Sequence, residues 1–275
     1  MTGPVGIVAG RGQLPKRLAA RLVETGQTGV VAALPGTGTD GFAGLPVIAA
    51  RYEKLGRLFA DLRGHAVTRI VLAGAIERPE LDLRALDLTT LRAAPRLLRA
   101  FRRGDDGLLR VVIGLFEKAG FAVVGAHAFL PDLTLPPGAA GRHRPAPADL
   151  ADIARADEIL GALGPVDLGQ AAVVAGGLCL GLETIQGTDA LLGFVAETGE
   201  RYRRGARGVL VKRPKQAQDP RVDMPVIGPG TVAASARAGL AGIAVAADAV
   251  MVVDAAETIA AADAAGLFLW AMAGS

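Results

Sequence analysis

Hydrophobic positions along the first half of the chain alternate between short continuous runs and helical spacing. The run Val5–Ala9 predicts a buried strand, and the residues from about Pro15 place Leu18, Leu22 and Val23 on one face of a helix. Proline suits a first helical turn because it has no N–H to leave unpaired. The same alternation continues through residues 29–34, 46–49, 52–64, 70–73, 88–101, 106–119 and 121–124. Strands that alternate with helices predict βαβ units and a parallel sheet.

The pattern is interrupted over residues 131–147, where five prolines and two glycines fall within seventeen residues. No apolar period survives there, so a domain boundary is predicted, with domains at 1–135 and 136–275. Beyond it the alternation resumes, with helices predicted at 150–163, 188–198, 231–240 and 255–264 and strands at 171–174, 178–182, 209–212, 243–246 and 249–253, followed by an apolar tail at 267–272.

Composition supports this architecture and narrows the classes of partner. A length of 275 residues suits two domains of ordinary size. Hydrophobic residues make up 51% and aromatic residues 4%, so the cores must be built from Ala, Val, Leu and Ile, which suits sheets covered by helices. The net charge of +3 comes from interspersed charges, which gives no reason to expect nucleic acid and slightly favours phosphate-bearing ligands.

Compartment signals in the sequence predict a cytoplasmic protein. The one cysteine, Cys179, cannot form an internal disulfide, and its neighbours Leu178 and Leu180 favour a small packed hydrophobe over a nucleophile. The first residues do not form a secretory signal, and no run reaches the roughly 18 apolar residues that a membrane span needs.

The first candidate for chemistry is the turn Gly10, Arg11 and Gly12, between the first strand and the first helix. Backbone N–H groups at such a turn, with the helix dipole behind them, attract phosphate, although a tight structural turn is the alternative. Pro15 stands where the dinucleotide fingerprint has its third glycine, and Leu34 stands where that fingerprint needs an acidic residue. A nicotinamide-dependent oxidoreductase is therefore disfavoured.

Two further candidates follow predicted strands of the first half. Gly74 and Arg78 come just past the strand at 70–73, where an arginine can hold a phosphate with two hydrogen bonds, and a surface turn is the alternative. His127 follows the strand at 121–124 at the same predicted edge, where a structural role and a catalytic role are equally open.

Carboxylates occur before two predicted helices. Asp105 and Asp106 either cap a helix or supply oxygen ligands to a hard cation such as Mg²⁺. Glu183 ends an apolar strand and Thr188–Asp189 opens the next helix. Capping accounts for Thr188, but it does not account for Glu183.

The densest segment is the loop from Lys212 to Gly228, which holds four cations, two carboxylates and three prolines. A solvated loop is the ordinary explanation of such charge. The prolines, however, stiffen the backbone, and cations on a rigid backbone are what the binding of a pyrophosphate requires. Lys212, Lys215 and Arg221 are the candidate cations, and Asp223 is the candidate acid.

Several motifs in this order resemble the LpxI-type UDP-2,3-diacylglucosamine pyrophosphatases of lipid A synthesis. The most specific are residues 104–106 (Gly-Asp-Asp), 187–189 (Gly-Thr-Asp) and 221–225 (Arg-Val-Asp-Met-Pro). The resemblance implies two α/β domains, an N-terminal Rossmann-like parallel sheet and a C-terminal mixed α/β domain, with a ligand cleft between them. It also implies hydrolysis of the substrate to UMP and 2,3-diacylglucosamine 1-phosphate, with Mg²⁺ or another divalent cation as cofactor.

This resemblance, with the charge pattern, assigns roles to named residues. Asp223 and Glu183 are the predicted catalytic residues, and Asp105, Asp106, Asp189 and Asp223 are the predicted metal ligands. The predicted substrate-binding residues are Gly10, Arg11, Gly12, Gly74, Arg78, His127, Gln170, Thr188, Lys212, Lys215 and Arg221. The resemblance further suggests attack at the phosphorus nearer the sugar.

One alternative from another class stays open, a non-catalytic protein that binds a sugar nucleotide and regulates. The carboxylates argue against it, because a protein that only binds an anion has no use for acidic residues beside its cations. The expected partner is a small glycolipid nucleotide. The sequence leaves open a transient contact with the inner-membrane surface and the formation of a homodimer.

Overall fold

The computed structural model describes residues 3–75, 82–101, 105–166, 168–215 and 218–273, and at residues 83, 101, 105 and 106 it describes the backbone alone. The chain divides into two compact units. The first contains Met1–Pro131 together with Arg221–Asp223, and the second contains Asp132–Pro220 and Met224–Ser275.

The first unit is built on a five-stranded parallel sheet with strand order β3-β2-β1-β4-β5. The strands are β1 (Val5–Ala9), β2 (Gly29–Ala33), β3 (Val47–Ala49), β4 (Arg69–Ala73) and β5 (Ala122–Val123). The helices are α1 (Leu14–Glu24), α2 (Leu55–Gly64), α3 (Leu88–Phe101) and α4 (Asp105–Lys118). The strand order reverses direction between β1 and β4, and in open α/β sheets ligands bind at such a point, outside the carboxyl ends of the strands.

Apolar side chains of the helices cover this sheet. Leu18 and Leu22 of α1 are buried, whereas Val23, which the sequence placed on the same face, is 47% exposed. Residues 22 and 23 are consecutive and point about 100° apart on a helix, so the buried stripe ends between them. On the other side, Phe59 and Phe116 meet edge to face with ring centroids 5.2 Å apart.

The second unit is built on a mixed six-stranded sheet with strand order β6-β13-β11-β9-β7-β8. Strands β9, β11 and β13 are mutually parallel, whereas β7 runs antiparallel to both β9 and β8. The strands are β6 (Gly138–Ala139), β7 (Ala171–Ala175), β8 (Leu178–Leu182), β9 (Val209–Lys212), β11 (Gly242–Ala246) and β13 (Phe268–Met272), and a separate pair is formed by β10 (Val226–Ile227) and β12 (Met251–Val252). The helices are α5 (Pro147–Leu163), α6 (Thr188–Ala196), α7 (Pro229–Arg237) and α8 (Ala255–Ala264).

The structure confirms the predicted fold class, a parallel sheet followed by a mixed α/β unit, and adds strands that the sequence did not predict. The proline-rich stretch contributes buried Leu133 and Leu135 and the short strand β6, which pairs with β13. The apolar tail of the chain forms β13 between β6 and β11. Local spacing could not reveal either strand, because their partners are distant in sequence. Within the described residues, no helix combines the length and apolar character needed to cross a membrane.

Candidate active site

The carboxyl ends of β8 and β9 lie at the same edge of the second sheet. The two strands share a direction because each is antiparallel to β7. Lys212 is the last residue of β9, and Glu183 follows the last residue of β8. Because β7 runs the opposite way, Gln170, which precedes it, reaches this edge as well.

Three side chains at this edge form a directed chain of hydrogen bonds, the Lys212–Thr188–Glu183 cluster. Lys212 Nζ donates to Thr188 Oγ1 over 2.6 Å, and Thr188 Oγ1 donates to Glu183 Oε1 over 3.0 Å. Lys212 Nζ lies 4.0 Å from the same Oε1. A hydroxyl has one proton and two lone pairs, so Thr188 can serve the carboxylate and the ammonium at once.

Both charged members of the cluster are largely removed from solvent. The side chain of Lys212 is 8% exposed and that of Glu183 is 12% exposed. Burial lowers the pKa of the Lys212 ammonium from its ordinary value, while the nearby carboxylates of Glu183 and Asp189 act in the opposite direction. A buried charge is tolerated where it has partners of opposite sign. The bond to Thr188 uses one of the three N–H donors that the ammonium carries.

The backbone on either side of Gln170 holds Glu183 in place. The N–H of Gln170 donates to Glu183 Oε2 over 3.3 Å, and the N–H of Arg213 donates to the Gln170 carbonyl over 2.9 Å. Gly169 has φ of +63°, and a Cβ there would lie 2.2 Å from the carbonyl oxygen of Glu183. Only glycine suits that conformation and that approach.

A glycine turn sets the start of α6 beside Glu183. Gly187 has φ of +86° at the N-cap of this helix, and its N–H donates to the Thr184 carbonyl over 3.0 Å. Thr188 and Asp189 therefore occupy the first turn of α6. The positive end of the helix dipole favours negative charge there, from Asp189 or from a ligand.

The loop after β9 has internal partners for several of its polar groups. Arg213 Nη1 forms an ion pair with Asp157 Oδ1 of α5 at 2.6 Å, with both side chains about a third exposed or less. The N–H of Lys215 donates to Gln218 Oε1 over 3.0 Å, and the N–H of Gln218 donates back to the Lys215 carbonyl over 3.1 Å. Buried Gln218 therefore holds the backbone of the loop at Lys215.

In the first unit, the predicted glycine turn is part of a backbone crossing between the ends of β1 and β4. The N–H of Gly10 donates to the Ala73 carbonyl, and Arg11 and Ala75 exchange hydrogen bonds of 2.8 and 2.9 Å. A Cβ at Gly10 would lie 2.4 Å from the Ala75 carbonyl oxygen, and one at Gly74 would lie 2.5 Å from that of Arg11.

The substrate-binding role of the turn stays a prediction. The N–H groups of Gly10 and Arg11 both donate within the protein. Gly12 has φ of +103° with no atom within 4 Å of its would-be Cβ, and it leads into α1. Phosphate binding at this turn would fall to Gly12 and the start of that helix.

His127 lies in a short turn after β5, at the same edge of the first sheet. Its Nδ1 is buried and has no hydrogen-bond partner within the described part of the chain. The ring packs on Gly125, where a Cβ would lie 2.6 Å from Nδ1. Buried polar atoms are normally hydrogen-bonded, so this nitrogen is suited to a ligand or a water molecule.

The segment Arg221–Asp223 groups with the first unit. Arg221 Nη1 lies 2.7 Å from Glu117 Oε1 of α4, and Val222 packs against the apolar core of that unit. Arg221, predicted to bind phosphate, is thus engaged in a half-exposed ion pair, and Asp223 also has an interaction partner.

Family models match the two halves of the chain in order. The LpxI N-terminal domain matches residues 4–133 and the LpxI C-terminal domain matches residues 136–270. The chain belongs to the LpxI family. A curated relative, the UDP-2,3-diacylglucosamine pyrophosphatase LpxI of Caulobacter vibrioides, is 40% identical over 268 residues, which are 96% of this chain and 96% of the relative.

Solved structures offer a much weaker likeness to this LpxI family member. The Bordetella bronchiseptica enzyme WbmG, in complex with NAD and UDP or with NAD, aligns over 44% of this chain and 36% of that chain. The identity is 21% and the TM-score is 0.29.

Within the second unit of this LpxI family member, the structure brings together five of the predicted residues. They are Gln170, Glu183, Thr188, Asp189 and Lys212. The sequence prediction missed Gly169, which is required beside them. Glycine at a strand start was the available signal, but the close approach to Glu183 arises only when β7 pairs with β8.

Other predicted residues lie in the first unit, lie outside the described residues, or have side chains that the structure does not describe. Gly10, Arg11, Gly12, Gly74, His127, Arg221 and Asp223 belong to the first unit. Arg78 lies outside the described residues, and Asp105 and Asp106 begin α4 with their side chains undescribed. Among the side chains that the structure does describe, no group of three or more His, Cys, Asp or Glu residues is arranged to hold a metal ion. The metal ligands stay a prediction.

Proposed function

We propose that this chain hydrolyses the pyrophosphate of UDP-2,3-diacylglucosamine to UMP and 2,3-diacylglucosamine 1-phosphate, in the cytoplasm, as a step of lipid A synthesis. The observation that carries the proposal is the 40% identity with the Caulobacter pyrophosphatase over 96% of both chains. The cluster at the ends of β8 and β9 supports it, because its chemistry suits a phosphoric anhydride.

The substrate determines what the cluster must do. A pyrophosphate diester carries two negative charges, which repel an oxygen nucleophile and must be neutralised as the bridging bond breaks. Lys212 is a buried cation that has N–H donors beyond the one bound to Thr188. An ammonium in a shielded site interacts more strongly with phosphate oxygen than one in water. Lys212 is the proposed phosphate-binding cation.

The proposed roles of Glu183 and Asp223 follow from the hydrolytic step. A water oxygen forms a bond to phosphorus, the bridging P–O bond breaks, and one water proton leaves for a carboxylate. Asp223 is the proposed acceptor of that proton. Glu183 holds the Thr188 hydroxyl, so that its lone pair is directed at Lys212 and the ammonium keeps one position.

A divalent cation, Mg²⁺ in the first instance, is part of the proposal. Magnesium is usually bound by one or two carboxylates together with substrate phosphate and water. Each Glu183 oxygen accepts a hydrogen bond and keeps a second lone pair, and exposed Asp189 stands in the first turn of α6. These two side chains fit such a cation. When bound, it would neutralise charge that develops on phosphate oxygens.

The test is a hydrolysis assay of the full chain on UDP-2,3-diacylglucosamine, with Mg²⁺ in one arm and a chelator in the other. We expect UMP to be released with Mg²⁺ and release to fall strongly with chelator. Release that persists unchanged in chelator would refute the metal requirement and leave the hydrolase standing. Tight substrate binding without any UMP in either arm would refute the enzyme and favour the regulatory alternative.

A further inference from the structure

The outward face of α3 carries large apolar side chains that the fold leaves uncovered. Leu88, Leu91 and Leu98 are 61%, 56% and 63% exposed. With 3.6 residues per turn, positions 88, 91, 95 and 98 fall on one stripe of a helix. The fourth position is Pro95, which is exposed too. A continuous apolar stripe on a surface helix indicates an interaction surface, whereas single exposed leucines do not.

Arginines run beside this stripe along the same helix. Arg92, Arg96 and Arg99 are all exposed and follow at intervals of four and three residues. The helix has no acidic residue from Leu88 to Phe101, and none of the three arginines forms an ion pair with the side chains that the structure describes. The exposed face of α3 is thus half leucine and half arginine.

The opposite face of α3 is fixed to the first unit, so the exposed face is presented in one orientation. Asp87 Oδ1 accepts from the Thr90 N–H over 2.8 Å, and Asp87 Oδ2 accepts from the Gly56 N–H of α2 over 2.7 Å. Thr90 Oγ1 also accepts from the Leu55 N–H over 3.0 Å. One carboxylate therefore caps α3 and ties it to α2.

We propose that the exposed face of α3 binds the surface of a bilayer that contains anionic phospholipid. Helices that lie in a membrane interface combine leucine on one side with arginine on the other, so that the leucines enter the acyl boundary and the arginines stay with the headgroups. The charge of α3 is complementary to an anionic headgroup layer. A folded partner of neutral or basic surface would leave the three arginines without counter-charge.

The test is flotation of the full chain with phosphatidylcholine vesicles, with and without phosphatidylglycerol, and without substrate. Each basic residue near an anionic surface contributes a factor of about five to binding. The triple change Arg92→Gln, Arg96→Gln and Arg99→Gln should therefore weaken binding to anionic vesicles by about 100-fold. The double change Leu91→Asn and Leu98→Asn should weaken it by about tenfold or more, with loss that persists at high salt.

The matched control is the pair Val166→Asn and Arg237→Gln, which changes an exposed apolar and an exposed basic residue of the second unit. It should leave vesicle binding unaltered. Failure of the unmodified chain to float with anionic vesicles would overturn the proposal, as would equal binding by the α3 variants. Loss of a dimer in the leucine variant, measured without lipid, would assign this face to a second copy and overturn it as well.

A second readout separates this proposal from the proposed hydrolysis. Activity of the α3 variants on substrate dispersed in detergent should match the unmodified chain, and activity on substrate held in vesicles should fall. Equal loss in both formats would place these side chains in substrate binding and refute membrane docking. Vesicle binding by a chain that hydrolyses nothing would leave the docking proposal intact and remove the other.

Discussion

Lys212 keeps its ammonium where burial opposes the charge. Its side chain is 8% exposed, and Thr188 and Glu183 are the partners that support it. A lysine on the surface would interact more weakly with a phosphate than buried Lys212 does, because electrostatic interactions are stronger in a shielded site. This residue therefore gives the site a measurable signature.

The pH dependence of hydrolysis should show that signature. Because burial lowers the pKa of Lys212 from 10.5, kcat/KM should fall on the alkaline side with an apparent pKa below 10.5. Arginine stays protonated through that range, so Lys212→Arg should remove the alkaline limb. Lys118→Arg, at an exposed lysine of α4, is the control. A limb that Lys212→Arg leaves in place would contradict the assignment.

The burial of Lys212 should affect stability in the opposite direction from activity as pH rises. Between the lowered pKa and 10.5, the unfolded chain binds a proton at Lys212 that the folded chain does not. The free energy of unfolding contributed by this residue therefore rises with pH across that window. Denaturant unfolding of the unmodified chain against Lys212→Met measures the difference.

Substitution of Asp223 tests its proposed role as the proton acceptor. Asp223→Asn should lower kcat by a factor on the order of 10², the effect of losing a positioned base, with substrate affinity retained. Asp157→Asn, which breaks the partly exposed pair with Arg213, is the control and should cost at most about 1 kcal/mol of stability. An Asp223→Asn enzyme with more than about a tenth of the normal kcat would move the role to another carboxylate.

At the scale of elements, the site depends on how β7 begins. A Cβ at Gly169 would lie 2.2 Å from the Glu183 carbonyl oxygen, so glycine allows this approach, and the Gln170 N–H then donates to the Glu183 side chain. The ends of β8 and β9 are joined through this one dipeptide. The position of Glu183 is therefore a property of strand pairing and not of the Glu183 loop alone.

Two glycines of similar backbone conformation allow a controlled test. Gly169 has φ of +63° with backbone in the way, and Gly177 has φ of +78° with no atom within 4 Å of its would-be Cβ. Gly177→Ala should lower stability by about 1 kcal/mol and leave kcat intact. Gly169→Ala should lower kcat by about 10²-fold, because Glu183 must shift. Equal activity of the two variants would show that the placement of Glu183 does not matter.

Elements with strong local patterns could be predicted from the sequence, and elements that depend on distant partners could not. The spacing in α3 predicted its bounds, Leu88–Phe101, because its buried and exposed positions repeat within the helix. Strand β6 has two residues and gains its place by pairing with β13, about 130 positions further along the chain. The tail that forms β13 was apolar without a periodic signal, so its position inside the sheet depended on tertiary context.

At the scale of the whole molecule, the sequence predicted the residue types of the site better than their arrangement. Glu183 was selected because it ends an apolar strand, Thr188 because it opens the next helix, and Lys212 as a cation of the proline-rich loop, and the three form the cluster in the second unit. Arg221 was selected in the same loop as Lys212 and instead pairs with Glu117 in the first unit. Charge density identifies a loop of interest, but partner choice depends on which unit each segment joins.

We propose that this LpxI family member cleaves the bridge between the two phosphorus atoms of UDP-2,3-diacylglucosamine. The most direct measurement is mass analysis of the products after hydrolysis in ¹⁸O-labelled water. We expect UMP and 2,3-diacylglucosamine 1-phosphate in equal amounts, with one labelled oxygen on the sugar phosphate. Release of UDP with free diacylglucosamine, or an intact substrate after prolonged incubation with Mg²⁺, would contradict it.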